Sequence, residues 1–473
     1  MAISRTSRED IVITGVSCRF AESPDPAAFW RNILQRRALF TPLAQEEKAQ
    51  GRPRPNIFDR PLPTHSAQLG DLYAYNPDDL HFQRAVSAGE NQDVFLMVQL
   101  VIDALRDSGC AISSLPTDRV SLRLGYVPQF NAASVNWVQH ALFLDQTLEI
   151  IQKIFPHADP SQLEGARAKL AASLSTPSPY AFMSAFNCSM AAWIAHLLGM
   201  AGPATVLEAG SVSTHQAIQS AMDDLLMRRS DIAVAGALQP PLSPLMLQGM
   251  SGATTFSRGK TLQPFSRESD GTLPGEGGAV FVLKRLKDAL RQQDRIYAII
   301  RSTGVVAASL EHQRKVALSP ERMTRAIRRA LSTANLAPET LAYIEAHGCG
   351  IPHVDQSELG VLQDVFGARA ASHPLAGIGA VKGNVGNTFW AAGAASLLKA
   401  ALAIYHRILP PSAEIERVPP RLASAKSPLY LLTEARPWIR GRKATPRHAG
   451  VVTLDFTGTC GVAILEEYTG GEA

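Results

Sequence analysis

Four blocks of the sequence carry groups able to act on a carbonyl: a hydroxyl, an imidazole, a carboxamide beside an ammonium, and a glycine-rich turn of backbone N–H groups. The first is GPATVLEAGSVSTHQAIQSAMDDLLMRRSDIAVAG at 202–236. Its strand TVLEAG runs into a turn holding Ser211. A helix follows from about Thr214, with Ala217, Ile218, Ala221, Met222, Leu225 and Leu226 on its apolar face. A hydroxyl at such a turn stands near the positive end of a helix, where free N–H groups favour a developing anion. The pattern also describes an ordinary N-cap by Ser211, Ser213 or Thr214, and locally that is the commoner case.

The second block is EAHGCGIPHVDQSE at 345–358, where His347 ends a strand and precedes a glycine-rich turn. A histidine so placed can give or take a proton at a pocket mouth, although a lone strand-end histidine is more often structural. The third is GAVKGNVGNTFWAAGAASLLK at 379–399, with Lys382, Asn384 and Asn387 on a glycine-punctuated loop before a helix. Asn387 can donate to a carbonyl oxygen; alone, it reads equally as turn chemistry. The fourth is AGVVTLDFTGTCGVAILEE at 449–467: two strands around a Phe456-Thr457-Gly458-Thr459 turn whose N–H groups can face an oxyanion, or simply close a hairpin.

These blocks need elements to hold them. Buried strands are expected at 11–16, 232–236, 279–283, 296–304, 341–345, 449–455 and 461–466. Helices are expected at 26–37, at 90–109 and at 391–406, and two more over 138–174, joined around Pro156–Pro160. The stretch 40–65 reads as surface loop, and the Pro- and Arg-rich stretch 410–447 reads as running over the surface. Alternating strands and helices favour a layered α/β fold.

Bulk composition narrows the function. The 473 residues are 46% hydrophobic and only 19% charged, which suits a large core or an oligomer. The net charge of +4, with no block of Lys/Arg, argues against a nucleic-acid partner. Five scattered cysteines show no zinc spacing and suggest a reducing, cytoplasmic setting. No signal peptide and no run of about 18 apolar residues is present, so no membrane span is expected.

Taken together, the blocks resemble the β-ketoacyl synthases of fatty-acid and polyketide biosynthesis. IVITGVSCRF at 11–20 with Phe29-Trp30, PFSRESDGTLPGEGGAVFVLKRL at 264–286, EAHGCG, VKGNVGNT and the closing block follow in family order. The resemblance implies the thiolase-like α/β/α/β/α fold from two related halves, 1–262 and 263–473, and a homodimer or a heterodimer with another ketosynthase. It also implies acyl groups delivered on the phosphopantetheine arm of an acyl carrier protein, with no cofactor or metal held by the chain itself. The excess of basic residues, including Arg436, Arg440, Arg442 and Lys443, can help to dock a carrier with an acidic face, or simply be solvated.

The family uses a cysteine and two histidines. Counting eight residues on from Pro203 places the nucleophile position at Ser211, as does counting back from the strand after it; an alternative register puts Gly210 there but needs compensating gaps. His347 matches the first histidine, Asn387 the second, and Lys382 the family's lysine. The implied oxyanion hole is the backbone N–H of Ser211 and of Phe456. Cys349 and Ile351 stand where threonines usually face the pantetheine, Asp455 where a glycine precedes the phenylalanine, and Cys460 and Val462 for an asparagine and a histidine. The segment 138–180 also departs from the plain family.

A serine hydroxyl stays protonated and needs a positioned base, where a thiol of pKa near ~8.5 readily forms thiolate. Ordinary condensation is therefore not expected. Three functions follow: decarboxylation of malonyl-carrier protein, which needs only hydrogen-bond donors on the thioester carbonyl; serine acyl transfer through Ser211, His347 and Asn387; and a non-catalytic, chain-length-factor-like role beside an active ketosynthase.

Overall fold

The computed structural model describes residues 9–43, 61–73, 92–128, 135, 138–174, 186–307, 319–367, 376–413, 415, 417–424, 426–440 and 445–470. Its frame is one sheet of eleven strands. They are β1 (Ile11–Phe20), β2 (Val120–Gly125), β3 (Ala204–Leu207), β4 (Ile232–Gln239), β5 (Gly277–Arg285), β6 (Ala298–Val306), β7 (Leu341–Glu345), β8 (Ala376–Gly379), β9 (Leu429–Leu431), β10 (His448–Leu454) and β11 (Cys460–Glu466). The spatial order is β9-β8-β7-β10-β11-β6-β1-β5-β4-β2-β3.

The order divides into two halves of similar plan, parallel strands followed by two antiparallel ones, the second half having one parallel strand more. In one, β3, β2 and β4 run parallel, and β5 and β1 follow antiparallel. In the other, β9, β8, β7 and β10 run parallel, and β11 and β6 follow antiparallel. The halves join where β1 pairs antiparallel with β6, Ile11 opposite Ile300 and Ile13 opposite Ala298.

The main helices are α1 (Pro26–Leu34), α2 (Gln92–Asp107), α3 (Leu144–Ile154), α4 (Pro160–Ala172), α5 (Asn187–Leu198), α6 (Ser213–Leu226), α7 (Pro244–Ala253), α8 (Pro320–Ala334), α9 (Pro352–Phe366) and α10 (Ala392–His406). Side-chain alternation along the strands sorts them into layers, because successive residues face opposite sides of a sheet. Ala233, Ala235 and Ala237 of β4 and Ala279, Phe281 and Leu283 of β5 face a central core with α6 and α10. Their neighbours Val234, Leu238, Val280 and Val282 face an outer core with α2 and α5. In the other half, Ala449, Val451, Ala463 and Leu465 face the same central core. Val452, Leu454, Val462 and Ile464 face a second outer core with α8 and α9. The result is five layers, α/β/α/β/α, with α6 and α10 in the middle. That is why α10 is apolar all round, Ala392 to Ile404 being buried without a break.

The strands expected from the sequence form within a few residues of their expected bounds, as do the helices around Pro156–Pro160. The helix expected at 26–37 ends at Leu34, and that at 90–109 is described from Gln92 to Asp107. The surface course expected for 410–447 is corrected. Leu429–Leu431 pairs parallel with β8 as the sheet's edge, and Leu429, Leu432 and Trp438 are buried. Proline and arginine mask a strand of only three residues.

His215, on the first turn of α6, lies within the central layer. It is crowded by Gly461, where a methyl group would come within 2.8 Å of the ring. Among the described residues neither ring nitrogen has a hydrogen-bond partner. Burial lowers its pKa from 6.5 to about 4. The neutral form is thus the one the fold accepts. Its contribution to stability is complete above pH 6.5 and is lost as pH falls toward about 4, some ~3 kcal/mol in all. Denaturant melts between these pH values should show this loss in the wild type and a flatter profile in His215→Leu; parallel profiles would refute the assignment.

Candidate functional site

Three of the site loops leave the carboxyl ends of neighbouring parallel strands β7, β8 and β10. The fourth leaves β3 in the other half. Ligands in open α/β sheets bind at such ends. Leu207 of β3 leads to Ser211, Glu345 of β7 to His347, Gly379 of β8 to Lys382 and Asn387, and Leu454 of β10 to Asp455 and Phe456. Ser211, His347, Asn387, Asp455 and Phe456 line one cavity of about 470 Å³, with Cys349, Ile351 and His353 on one wall and Met246, Met250, Phe389 and Trp390 on another. The sequence therefore brings the hydroxyl, imidazole, carboxamide and glycine-turn blocks to one place. Lys382 is not among the lining residues; it lies behind the imidazole.

The imidazole is held from three sides. Its Nδ1 accepts the Leu454 N–H at 3.1 Å, and Lys382 Nζ stands 3.3 Å from the same nitrogen while donating to the His347 carbonyl at 2.7 Å. With Nδ1 an acceptor, the ring proton sits on Nε2. Burial and the Lys382 ammonium together hold the His347 pKa well below its usual value. The ring is thus a neutral N–H donor.

The loop beneath it is clamped by two carboxylates on the first turns of α9. Glu358 accepts the N–H groups of His347 and Gly348 at 2.7 and 2.9 Å. Asp355 accepts those of Cys349 at 2.9 Å, Gly350 at 3.2 Å and Phe265 at 2.8 Å. Burial pushes Glu358 up to about 8 and Asp355 up to about 6, and it lowers Lys382. Sequence reasoning missed both carboxylates, although DQSE closes the histidine block and an i, i+3 acidic pair after Pro352 marks a helix N-terminus. Burial also pushes the Cys349 and Cys460 thiols up, so neither is an activated nucleophile.

Asn387 is oriented by accepting the Phe389 N–H on Oδ1 at 3.3 Å; among the described residues its Nδ2 has no protein acceptor. Asn384 is structural, donating to the Arg37 carbonyl at 2.9 Å. At the head of α6, Ser213 Oγ accepts the Ala209 N–H and donates to the Gly210 carbonyl, so Ser213 serves the turn and Ser211 faces the cavity.

One of the two expected oxyanion donors, the Ser211 N–H, is occupied from within the chain. The Ser211 N–H donates to Asp455 Oδ1 at 2.9 Å. The other Asp455 oxygen accepts the N–H and hydroxyl of Thr457 at 2.9 and 2.6 Å. Phe456 directs a half-exposed ring outward beside it. Of the basic residues expected at a docking face, Arg440 is bound to Glu467 at 3.0 Å and Arg436 stacks on Tyr430, while Arg442 and Lys443 lie outside the described residues.

The β-ketoacyl synthase N-terminal domain model matches residues 8–289, and the C-terminal domain model matches 297–416. The chain belongs to the β-ketoacyl synthase family. Its fold is the thiolase-like one of the ketosynthases. A ketosynthase domain of Streptomyces albus JA3453 oxazolomycin biosynthesis superposes with a TM-score of 0.80 at 25% identity, covering 98% of this chain and 74% of the other. The ketosynthase from module 6 of the bacillaene synthase of Bacillus subtilis 168, as a Cys-to-Ser mutant, gives 0.80 at 24%, covering 98% and 73%. A mycocerosic acid synthase-like polyketide synthase of Mycolicibacterium smegmatis is 28% identical over 97% of this chain and 20% of its own length. Polyketide synthase PksN of Bacillus subtilis 168 is 27% identical over 97% of this chain and 8% of its own. The chain thus spans a fifth or less of these two curated relatives. No described helix is long and apolar enough to cross a membrane.

If Leu454 and Lys382 hold His347 in its neutral form, nitrogen-detected NMR should show Nε2 protonated and Nδ1 bare, unchanged from about pH 6 to 8. A ring that titrates near the ordinary ~6.5 would overturn this.

Proposed function

We propose that the chain is a non-condensing ketosynthase-like domain acting on acyl groups carried by the phosphopantetheine arm of an acyl carrier protein, and that its reaction is decarboxylation of a malonyl thioester. The observation that carries this is the pair of neutral donors, His347 Nε2–H and Asn387 Nδ2–H, turned to one cavity and left without a protein acceptor among the described residues. The thioester carbonyl accepts from both. The bond between the α-carbon and the carboxyl carbon then breaks and CO2 leaves. Its electron pair forms an enolate whose oxygen the two donors hold, and a proton from water gives the acetyl thioester. The step needs no nucleophile, metal or redox partner.

Serine acyl transfer fits less well. A histidine whose Nδ1 accepts a backbone N–H carries its proton on Nε2 and has no lone pair to offer Ser211. The non-catalytic role is the second reading, favoured by the Asp455 carboxylate on the Ser211 N–H. In either case the expected partners are a carrier protein and a second ketosynthase-type chain, for which the part-exposed strand β3, an edge of the sheet among the described residues, offers backbone groups.

Intact-mass spectrometry of malonyl-carrier protein incubated with the domain should show loss of CO2. His347→Ala and Asn387→Ala should each slow it by about 10²–10³-fold, as loss of one such donor does elsewhere. Ser211→Ala should change it only a few-fold. No CO2 loss above the protein-free control would sink the decarboxylase reading and leave the partner role.

A further inference from the structure

Asp455 sits where acyl transfer would have to place a negative oxygen. Had Ser211 attacked a thioester, its Oγ would bond to the acyl carbon, the carbon–sulfur bond would break, and the thiol would leave with the serine's proton. Between these events the carbonyl oxygen carries the charge, and the N–H of the attacking residue is the donor closest to it. Here that N–H already donates to Asp455 Oδ1 at 2.9 Å.

The contact is built rather than incidental. Asp455 Oδ1 lies over Gly210, close enough that a methyl group there would come within 2.0 Å, and Gly210 holds a φ of +56°, which suits glycine. The other carboxylate oxygen is fixed by the Thr457 N–H and hydroxyl. The turn itself is closed by the Asp455 N–H on the Thr459 carbonyl and the Gly458 N–H on the Asp455 carbonyl, both at 2.8 Å. An exposed aspartate would swing aside for a substrate; this one is held at both oxygens and at its backbone.

We propose that Asp455 determines which reaction the cavity performs, by filling the Ser211 N–H and setting a like charge where the tetrahedral oxyanion would form. Acyl transfer to residue 211 is thereby suppressed, while the His347 and Asn387 donors stay open to a thioester carbonyl. The inference rests on the reading of this cavity as an acyl-thioester site, but not on decarboxylation. Asp455 acts here by position and never bonds to the acyl group.

The test uses acetyl-pantetheine thioester and peptide mass spectrometry of the adduct at residue 211, so neither carrier docking nor CO2 release enters it. Wild type should stay unacylated. Asp455→Gly and Asp455→Ala should stay unacylated on Ser211 too, because the hydroxyl has no base with His347 protonated on Nε2. A Ser211→Cys background supplies a stronger nucleophile and a second readout, alkylation by iodoacetamide, which requires no oxyanion donor. There, removing the Asp455 side chain should speed acylation by about 10²-fold or more. Alkylation should rise at least about tenfold less, its own gain coming only from easier thiol ionisation. Circular dichroism and a thermal melt matching the Ser211→Cys parent certify that each variant is folded. Ready acylation with Asp455 in place, or no gain in acylation in a folded Asp455→Gly or Asp455→Ala variant of the Ser211→Cys background, would overturn the proposal.

Discussion

The site depends on a carboxylate that never reaches it. Glu358 is buried under the β7–α9 loop and takes the N–H groups of His347 and Gly348, the two residues that must turn sharply for the imidazole to face the cavity. A buried charge costs several kcal/mol unless hydrogen bonds and opposite charge offset it. Two backbone donors and the Lys382 ammonium offset part of that cost, and burial still leaves Glu358 raised to about 8. Lys382 in turn is bound to the His347 carbonyl and stands beside Nδ1. One buried acid and one buried base thus fix the backbone, the ring orientation and the ring's protonation together. A second buried set links this loop to the middle of the fold. Glu345 accepts the Val381 N–H at 2.6 Å and pairs with Lys399 of α10 at 3.0 Å, so the strand before His347, the turn before Lys382 and the central helix share one carboxylate.

Local pattern revealed those elements whose residues advertise their burial. IVITGV, IAVAG and AVFVL are β-branched or small apolar runs, and they are strands of the central sheet. AGIG of β8 and LYL of β9 are just as buried but too short, or too rich in glycine, to be told from turns. In β2, VSLRLG conceals a strand because Arg123 interrupts the apolar run; it is buried there by pairing with Asp224 at 2.7 Å. The amphipathic α8 carried a full signal in PERMTRAIRRALSTA, with proline at its start and Asn335 closing it in the left-handed region. It lay between the motifs that drew attention to chemistry.

The site was legible in part for the same reason. Ser211, His347, Asn387 and Phe456 each sat in a block with its own turn or strand-end signature, and the fold gathers them. What local pattern could not reveal is the pairing across the chain. Asp455 and Ser211 are 244 positions apart, and their contact exists only because the β10–β11 turn of one half meets the head of α6 from the other. Nor could it separate Lys382 from the lining residues, since a loop residue's facing is set by what packs behind it.

Donors for a carbonyl oxygen are present twice, and the two sets have opposite fates. The backbone donor at Ser211 is filled by an internal carboxylate, anchored in a tight turn. The side-chain donors at His347 and Asn387 are neutral, oriented by backbone N–H groups on their acceptor atoms, and open to the cavity. A nucleophilic mechanism needs the first set, because the charge forms on the carbonyl oxygen borne by the carbon that the residue 211 side chain attacks. Enolate formation needs only the second, because the charge forms on a carbonyl that no protein atom has attacked. Loss of a thiol would by itself make acyl transfer slow; a carboxylate at the oxyanion position goes further and opposes it. The two features are 244 residues apart in the chain, yet they act on the same step. A site that had merely decayed would have no need of the turn that holds Asp455 at both carboxylate oxygens.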